Sequence, residues 1–196
     1  MTIAEPATRT ADTSIPVLDV LAERWSPRSY DAEAEVPAES IRRFLEAARW
    51  APSANNSQPS RFIVGVRGTE TFDRIHDALL GFNQAWADRA GVLVVNVIET
   101  VGADGRERPF ATYDLGQAVA HLSVQAHADG LHAHQMGGID REKLREVFGL
   151  GEHLVPFSVT AVGVVGSPDQ LDETLRARET APRTRLTLEE IVLPAA

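Results

Sequence analysis

Apolar positions along this chain switch between a helical and a strand-like rhythm, and the switches mark out its elements. Residues 16–24 predict a short helix that offers Val17, Leu18, Val20 and Leu21 for packing. Pro37 suits a first helical position, and Ile41, Phe44, Leu45 and Ala48 then follow at i, i+3, i+4 and i+7. Residues 61–66 read as a strand, and residues 69–80 as a helix with Phe72, Ile75 and Leu79 on one side. The run 92–98 is almost continuously apolar, as a strand buried on both faces requires. Residues 111–129 predict the longest helix, with Leu115, Val119, Leu122 and Ala126 as its stripe and Gly130 as its stop. A short strand at 132–136 runs into Gly137-Gly138, and Asp140 caps a helix carrying Leu144, Val147 and Phe148. Residues 157–165 form a further apolar strand. Ser167-Pro168-Asp169-Gln170 has the spacing of a helix-start capping box, and Thr187-Leu188-Glu189-Glu190 has it again. Helices and strands are interspersed, so the class is α+β or α/β in three layers.

Composition narrows the chemistry. The chain has 196 residues and no internal repeat or low-complexity linker, which argues for one domain with a real core. A net charge of −9 disfavours a general nucleic-acid or anionic-membrane surface without excluding a local basic pocket. No apolar run approaches the length of a membrane span. Residues 1–14 are polar, carry Glu5 and Asp12, and lack the basic and apolar regions of a signal peptide; they read as a flexible arm, and the expected location is cytoplasmic. With no cysteine, thiolate catalysis, disulfides and iron–sulfur ligation are excluded, so any redox chemistry needs a bound cofactor.

Four segments carry candidate chemistry. The loop from Trp50 to Phe62 holds two prolines and six polar residues, Ser53, Asn55, Asn56, Ser57, Gln58 and Ser60, between a helix and a strand. These uncharged groups both donate and accept hydrogen bonds, which suits a neutral, planar, heteroatom-rich ligand; an ordinary Asx or Ser turn is the plainer reading. In Arg24-Trp25-Ser26-Pro27-Arg28, Pro27 favours an extended chain, and alternation puts Arg24, Ser26 and Arg28 on one side as a phosphate claw or as solvated arginines. Pro182-Arg183-Thr184-Arg185 repeats that spacing near the C-terminus. In His132-Ala133-His134-Gln135-Met136-Gly137-Gly138 the two histidines have metal-ligand spacing but no third partner. The paired glycines permit unusual dihedrals or close approach of a ligand to the backbone. His121 and His127 share no helix face, and Asp114 suits the start of its helix electrostatically without a catalytic role. There is no Gly-x-Gly-x-x-Gly, P-loop or Gly-x-Ser-x-Gly motif.

Taken in order, these four segments resemble the FMN-dependent nitroreductase family, over nearly the whole chain. The resemblance implies an α+β fold, a three-layer α/β/α sandwich with a central, mainly antiparallel sheet, in a homodimer with shared sites. Residues 15–196 would form the single FMN-binding domain. Arg24, Ser26, Arg28, Arg183 and Arg185, with Trp25 beside them, would hold the FMN phosphate and ribityl chain. Pro52, Ser53, Ala54 and Asn56 would reach the flavin of the other subunit, and Asn83 would bond the pyrimidine side of the ring. Gly137 would donate from its backbone toward flavin N5, with Gln135, Met136 and Gly138 around it. Two departures stand out: many relatives have an acidic residue where this chain has Gly137, and the link at 101–109 is short, leaving the cover of the pocket undefined.

The activity so implied is ping-pong hydride transfer from NADH or NADPH, through FMN, to a nitroaromatic, quinone or related acceptor. No side-chain acid or base and no metal is expected, nor any nucleic-acid or membrane partner. A dehydrogenase of one specific metabolite, a flavin-binding or flavin-sequestering protein without NAD(P)H-driven turnover, and a purely structural protein are the competing readings.

Overall fold

A computed structural model describes residues 9–194. Four strands, β1 (Ser60–Val66), β2 (Val92–Glu99), β3 (His132–Met136) and β4 (Leu154–Gly163), form one antiparallel sheet in the order β1-β2-β4-β3. β2 is central and is buried from Val92 to Ile98, as its almost continuous apolar run predicts. Because successive side chains of a strand point to opposite faces, Val92 and Val94 serve one layer while Leu93, Val95 and Val97 serve the other. Each such burial contributes about 2 kcal/mol.

The first layer is α2 (Ala38–Arg49) packed on α5 (Ala111–Ala128), through Phe44, Ala48, Ala118, Leu122 and Ala126. The second comprises α3 (Glu70–Asp77), α4 (Gly81–Ala87), α6 (Arg141–Val147) and α7 (Glu173–Thr180), contributing Phe72, Ile75, Trp86, Leu144 and Leu175. The short α1 (Asp19–Glu23) lies against α5, and α8 (Leu188–Ile191) is exposed. The three-layer sandwich around an antiparallel sheet is therefore what the chain forms.

Several boundaries moved for identifiable reasons. The first helix is only Asp19–Glu23, and Pro37 is the cap of α2 rather than its first residue. The helix expected over 69–80 stops at Asp77, because Leu79 bridges Ile139 and the Leu80 N–H donates to the Gly138 carbonyl at 3.0 Å. The chain then re-enters a helix, α4, which brings Asn83 beside Gly138. The strand expected at 157–165 runs from Leu154 to Gly163 instead. Ser167 starts only a single 3-10 turn and no capping box, since the Gln170 amide is drawn away to Ser29 Oγ (2.6 Å) and the Tyr30 carbonyl (2.7 Å). At Thr187 the capping box is complete. Of the N-terminal arm, residues 1–8 lie outside the described residues, while the Ala11 N–H donates to the Ala22 carbonyl at 2.9 Å.

Candidate functional site

The sequence leaves open whether the two Arg-x-Arg segments converge. Arg24 and the 183–185 segment do. Arg183 spends its guanidinium on three backbone carbonyls: those of Arg9, Ala22 (2.6 Å) and Arg24 (3.0 Å). It thereby ties the two chain ends together, and as a positioning group it differs from the free claw that the spacing suggests. Burial, and then the charge of Arg185, lower the pKa of Arg24. Among the described residues neither Arg24 nor Arg185 forms a salt bridge. Two like charges brought together without a salt-bridge partner suit an anionic ligand. Trp25 sits beside them, with the Arg9 guanidinium 4.4 Å from its ring and His132 edge-on at 6.0 Å.

Arg28 goes elsewhere. Pro27 is buried, and its carbonyl lies 2.8 Å from His134 Nδ1. Beyond it the Arg28 backbone N–H donates to both carboxylate oxygens of Glu179 (3.0 and 2.9 Å), and the Ser29 N–H donates to the same group at 3.1 Å. Glu179, 3% exposed, was invisible to motif reading, as was the helix α7 that carries it. Asp172, which caps α7 by accepting from the Leu175 N–H, was its one local signal. The Arg28 guanidinium turns to Phe82, 5.9 Å from the ring centroid, and its Nε is buried without a partner.

At the end of β3, Asn83 Nδ2 donates to the Gly138 carbonyl at 3.1 Å. The reason for glycine is space. Neither Gly137 nor Gly138 has a left-handed φ, so the expected dihedral freedom is not what is used. A Cβ on Gly138 would lie 2.9 Å from Asn83 Nδ2, while Gly137 faces open space. Met136 is buried in the core, and Gln135 turns to α5, donating to Ser123 Oγ at 2.6 Å. His132 and His134 form no metal cluster among the described residues. Burial foremost, then His127 and Arg24 for the one and Arg28 for the other, lower both histidine pKa values to about 4.

The Ser/Asn loop is strained and held from outside. All positive-φ non-glycine residues among the described ones are here: Asn55 (54°), Asn56 (53°) and Gln58 (49°). Part of its polarity does serve its own turn, since Ser53 Oγ accepts from the Gln58 N–H at 3.0 Å. The rest is fixed by Asp114, whose buried carboxylate accepts from the Ala54 N–H at 3.1 and 3.2 Å; Gln117 also donates to the Pro52 carbonyl at 3.4 Å. Asp114 thus has a positioning role beyond the dipole effect expected of it. A cavity of about 360 Å³ opens under the loop, lined by Leu45, Phe62, Val64 and Ala118 with Asp114 at its wall.

Loop and arginines do not meet within one chain. Ser60, Ile98 and Val155 form a row at one end of the sheet, whereas His132 pairs Gly163 and Tyr30 bridges Val165 at the other. At strand rise and spacing, those diagonal corners are roughly 30 Å apart.

Among known proteins, the family model described as "Nitroreductase family" matches residues 21–85 and 71–164. A 15.4 kDa protein of Mycolicibacterium smegmatis is 36% identical, over 67% of this chain and 92% of its own. An NADH dehydrogenase of Thermus thermophilus is 30% identical, covering 93% of this chain and 98% of its own. A crystal structure described as an oxidoreductase containing FMN superposes with a TM-score of 0.90 at 30% identity, covering 98% of both chains.

Proposed function

This chain belongs to the nitroreductase family, and from that membership we propose that it is an FMN-dependent oxidoreductase taking hydride from NADH or NADPH and delivering it to a nitroaromatic, quinone or related acceptor in ping-pong order. The observation that carries the reading is the Arg24–Arg185 pair, two guanidiniums without a carboxylate partner among the described residues, which fits a phosphate monoester. Arg183 aligns the segment that carries Arg185. Trp25 and Ser26 flank the ribityl path, and Asn83, Gln135, Met136, Gly137 and Gly138 border the ring, with Arg28 supplying positive charge at its pyrimidine end. FMN, when bound, supplies the hydride and electron chemistry; the protein binds it, orients it and sets the electrostatics of its edge.

The second half of the site comes from a second copy of the chain. Pro52, Ser53, Ala54 and Asn56 stand at the far corner of the sheet, so they serve the flavin of a partner. The outward face of α5 supports such pairing: its exposed positions Thr112, Tyr113, Gly116, Ala120 and His121 include no carboxylate, lysine or arginine, and Phe110 and Tyr113 stand 60% and 69% exposed beside them. Residues 15–196 act as the domain and residues 1–14 as its arm.

The test is direct. Purified protein should be yellow and release FMN on denaturation, and NADH or NADPH should bleach it without oxygen, with colour restored by an acceptor. A protein that stays colourless after incubation with FMN would overturn the cofactor assignment. Bound FMN that neither nucleotide reduces would overturn the catalytic one.

A further inference from the structure

We infer that Arg178 is a specificity-determining residue: together with Phe82 it forms a seat, at the ring end of the site, for the anionic group of a planar acceptor such as an aromatic carboxylate. The inference rests on the flavin-dependent reading above. It starts from two cations on one ring. Arg178 lies 4.7 Å from the Phe82 centroid and Arg28 lies 5.9 Å from it, while Phe82 remains 45% exposed. Phe82 immediately precedes Asn83, whose amide donates to the Gly138 carbonyl, so this ring stands at the end of β3 where the flavin ring is placed.

The charge of Arg178 is not otherwise used. Among the described residues it makes no salt bridge and no hydrogen bond. Glu179, next to it on α7, is buried and committed to the Arg28 and Ser29 amides, and the charge of Arg178 bears unfavourably on Arg28. With its guanidinium carbon over the Phe82 ring and no side-chain hydrogen bond among the described residues, Arg178 keeps its N–H groups available to a planar anion. A neutral acceptor would gain only the aromatic surface there; a carboxylate would add charge-assisted hydrogen bonds and relieve the repulsion between two guanidiniums. This cation pair is also distinct from Arg24 and Arg185, which face the phosphate.

The experiment compares 4-nitrobenzoate with 4-nitrobenzamide as acceptors for the FMN-loaded protein, in the native chain, Arg178→Met and Arg178→Lys. Methionine keeps the packing on Phe82 and removes the charge. It should raise KM for the carboxylate roughly tenfold and leave kcat, and KM for the amide, within about twofold. Lysine should restore part of the preference. A second readout needs no turnover: benzoate titrated into the oxidised protein should perturb the flavin absorbance with an affinity that falls in Arg178→Met, whereas benzamide binding stays the same. Equal effects on both acceptors, or none on either, would overturn the assignment. A KM change confined to NADPH would also overturn it, by placing the anion on the hydride donor. A protein without reducible FMN would instead sink the functional reading on which this one rests.

Discussion

The arginine cluster beside β3 and the Ser/Asn loop before β1 stand at opposite corners of one sheet, and each is pinned by a buried carboxylate from far along the chain. Glu179 accepts from the amides of Arg28 and Ser29, and Asp114 accepts from the amide of Ala54. What the two carboxylates hold differs. The first region concentrates charge: Arg24, Arg28, Arg178 and Arg185 lack salt-bridge partners among the described residues, and Arg183 ties together the two irregular segments that carry Arg24 and Arg185. The second offers only hydroxyls and amides, and stores its cost in backbone strain at Asn55, Asn56 and Gln58. A phosphate needs unpaired cations, whereas a flavin ring edge needs neutral donors and acceptors in a fixed frame. On the proposed reading one mononucleotide asks for both, and with roughly 30 Å between the corners a second copy of the chain would supply the other half.

The largest expected effect separates the corners by charge. Replacing Arg24 and Arg185 together by Gln should weaken FMN binding by about a hundredfold or more, measured by quenching of free FMN fluorescence on titration into apoprotein, since two charge-assisted contacts are lost. Asn56→Ala should cost far less in the same assay; equal losses would mean that the phosphate is not held at the arginine corner.

The carboxylates come next. Glu179→Ala leaves two backbone amides without their acceptor and should destabilise the chain by about 2 kcal/mol in urea unfolding, against about 1 kcal/mol for Asp114→Ala, which frees one. A reversed order would show that the loop, not the cluster, is the stiffer element.

The smallest effect is a pH dependence confined to the arginine corner. His132 and His134 have folded pKa values of about 4, below the ordinary 6.5, so the unfolded chain binds more protons between those values. Stability is therefore full above pH 6.5 and lost as pH falls toward 4. Between pH 7 and pH 6 the loss should be on the order of 1 kcal/mol or less for His134 and smaller still for the more exposed His132. His134→Gln should flatten that slope, and a slope unchanged by it would refute burial as the cause.

Pattern and punctuation made much of this legible. The six apolar residues of β2, the stripe of α5 and the Asp140 cap follow from periodicity and local hydrogen bonding alone, and each formed where expected. The division of residues 69–80 into a helix, a bridge and a second helix did not follow, because the interruption comes from Ile139 and Gly138, about sixty residues away. Glu179 was equally hidden: an acidic residue on a polar helix looks solvated until its partner segment is known.

By itself, then, the sequence determined most of the elements, the absence of thiol chemistry, and the order of four segments whose resemblance marks the family. Tertiary structure alone decided how those segments divide. It sent Arg28 to Phe82 and Arg24 to Arg185, turned Arg183 onto carbonyls, made Gly138 a matter of space, and set the loop beyond reach of its own chain's arginines. The physical reason is range: propensities and caps act over a few residues, whereas strand register and buried amide–carboxylate contacts are fixed only when segments distant in the chain pack together.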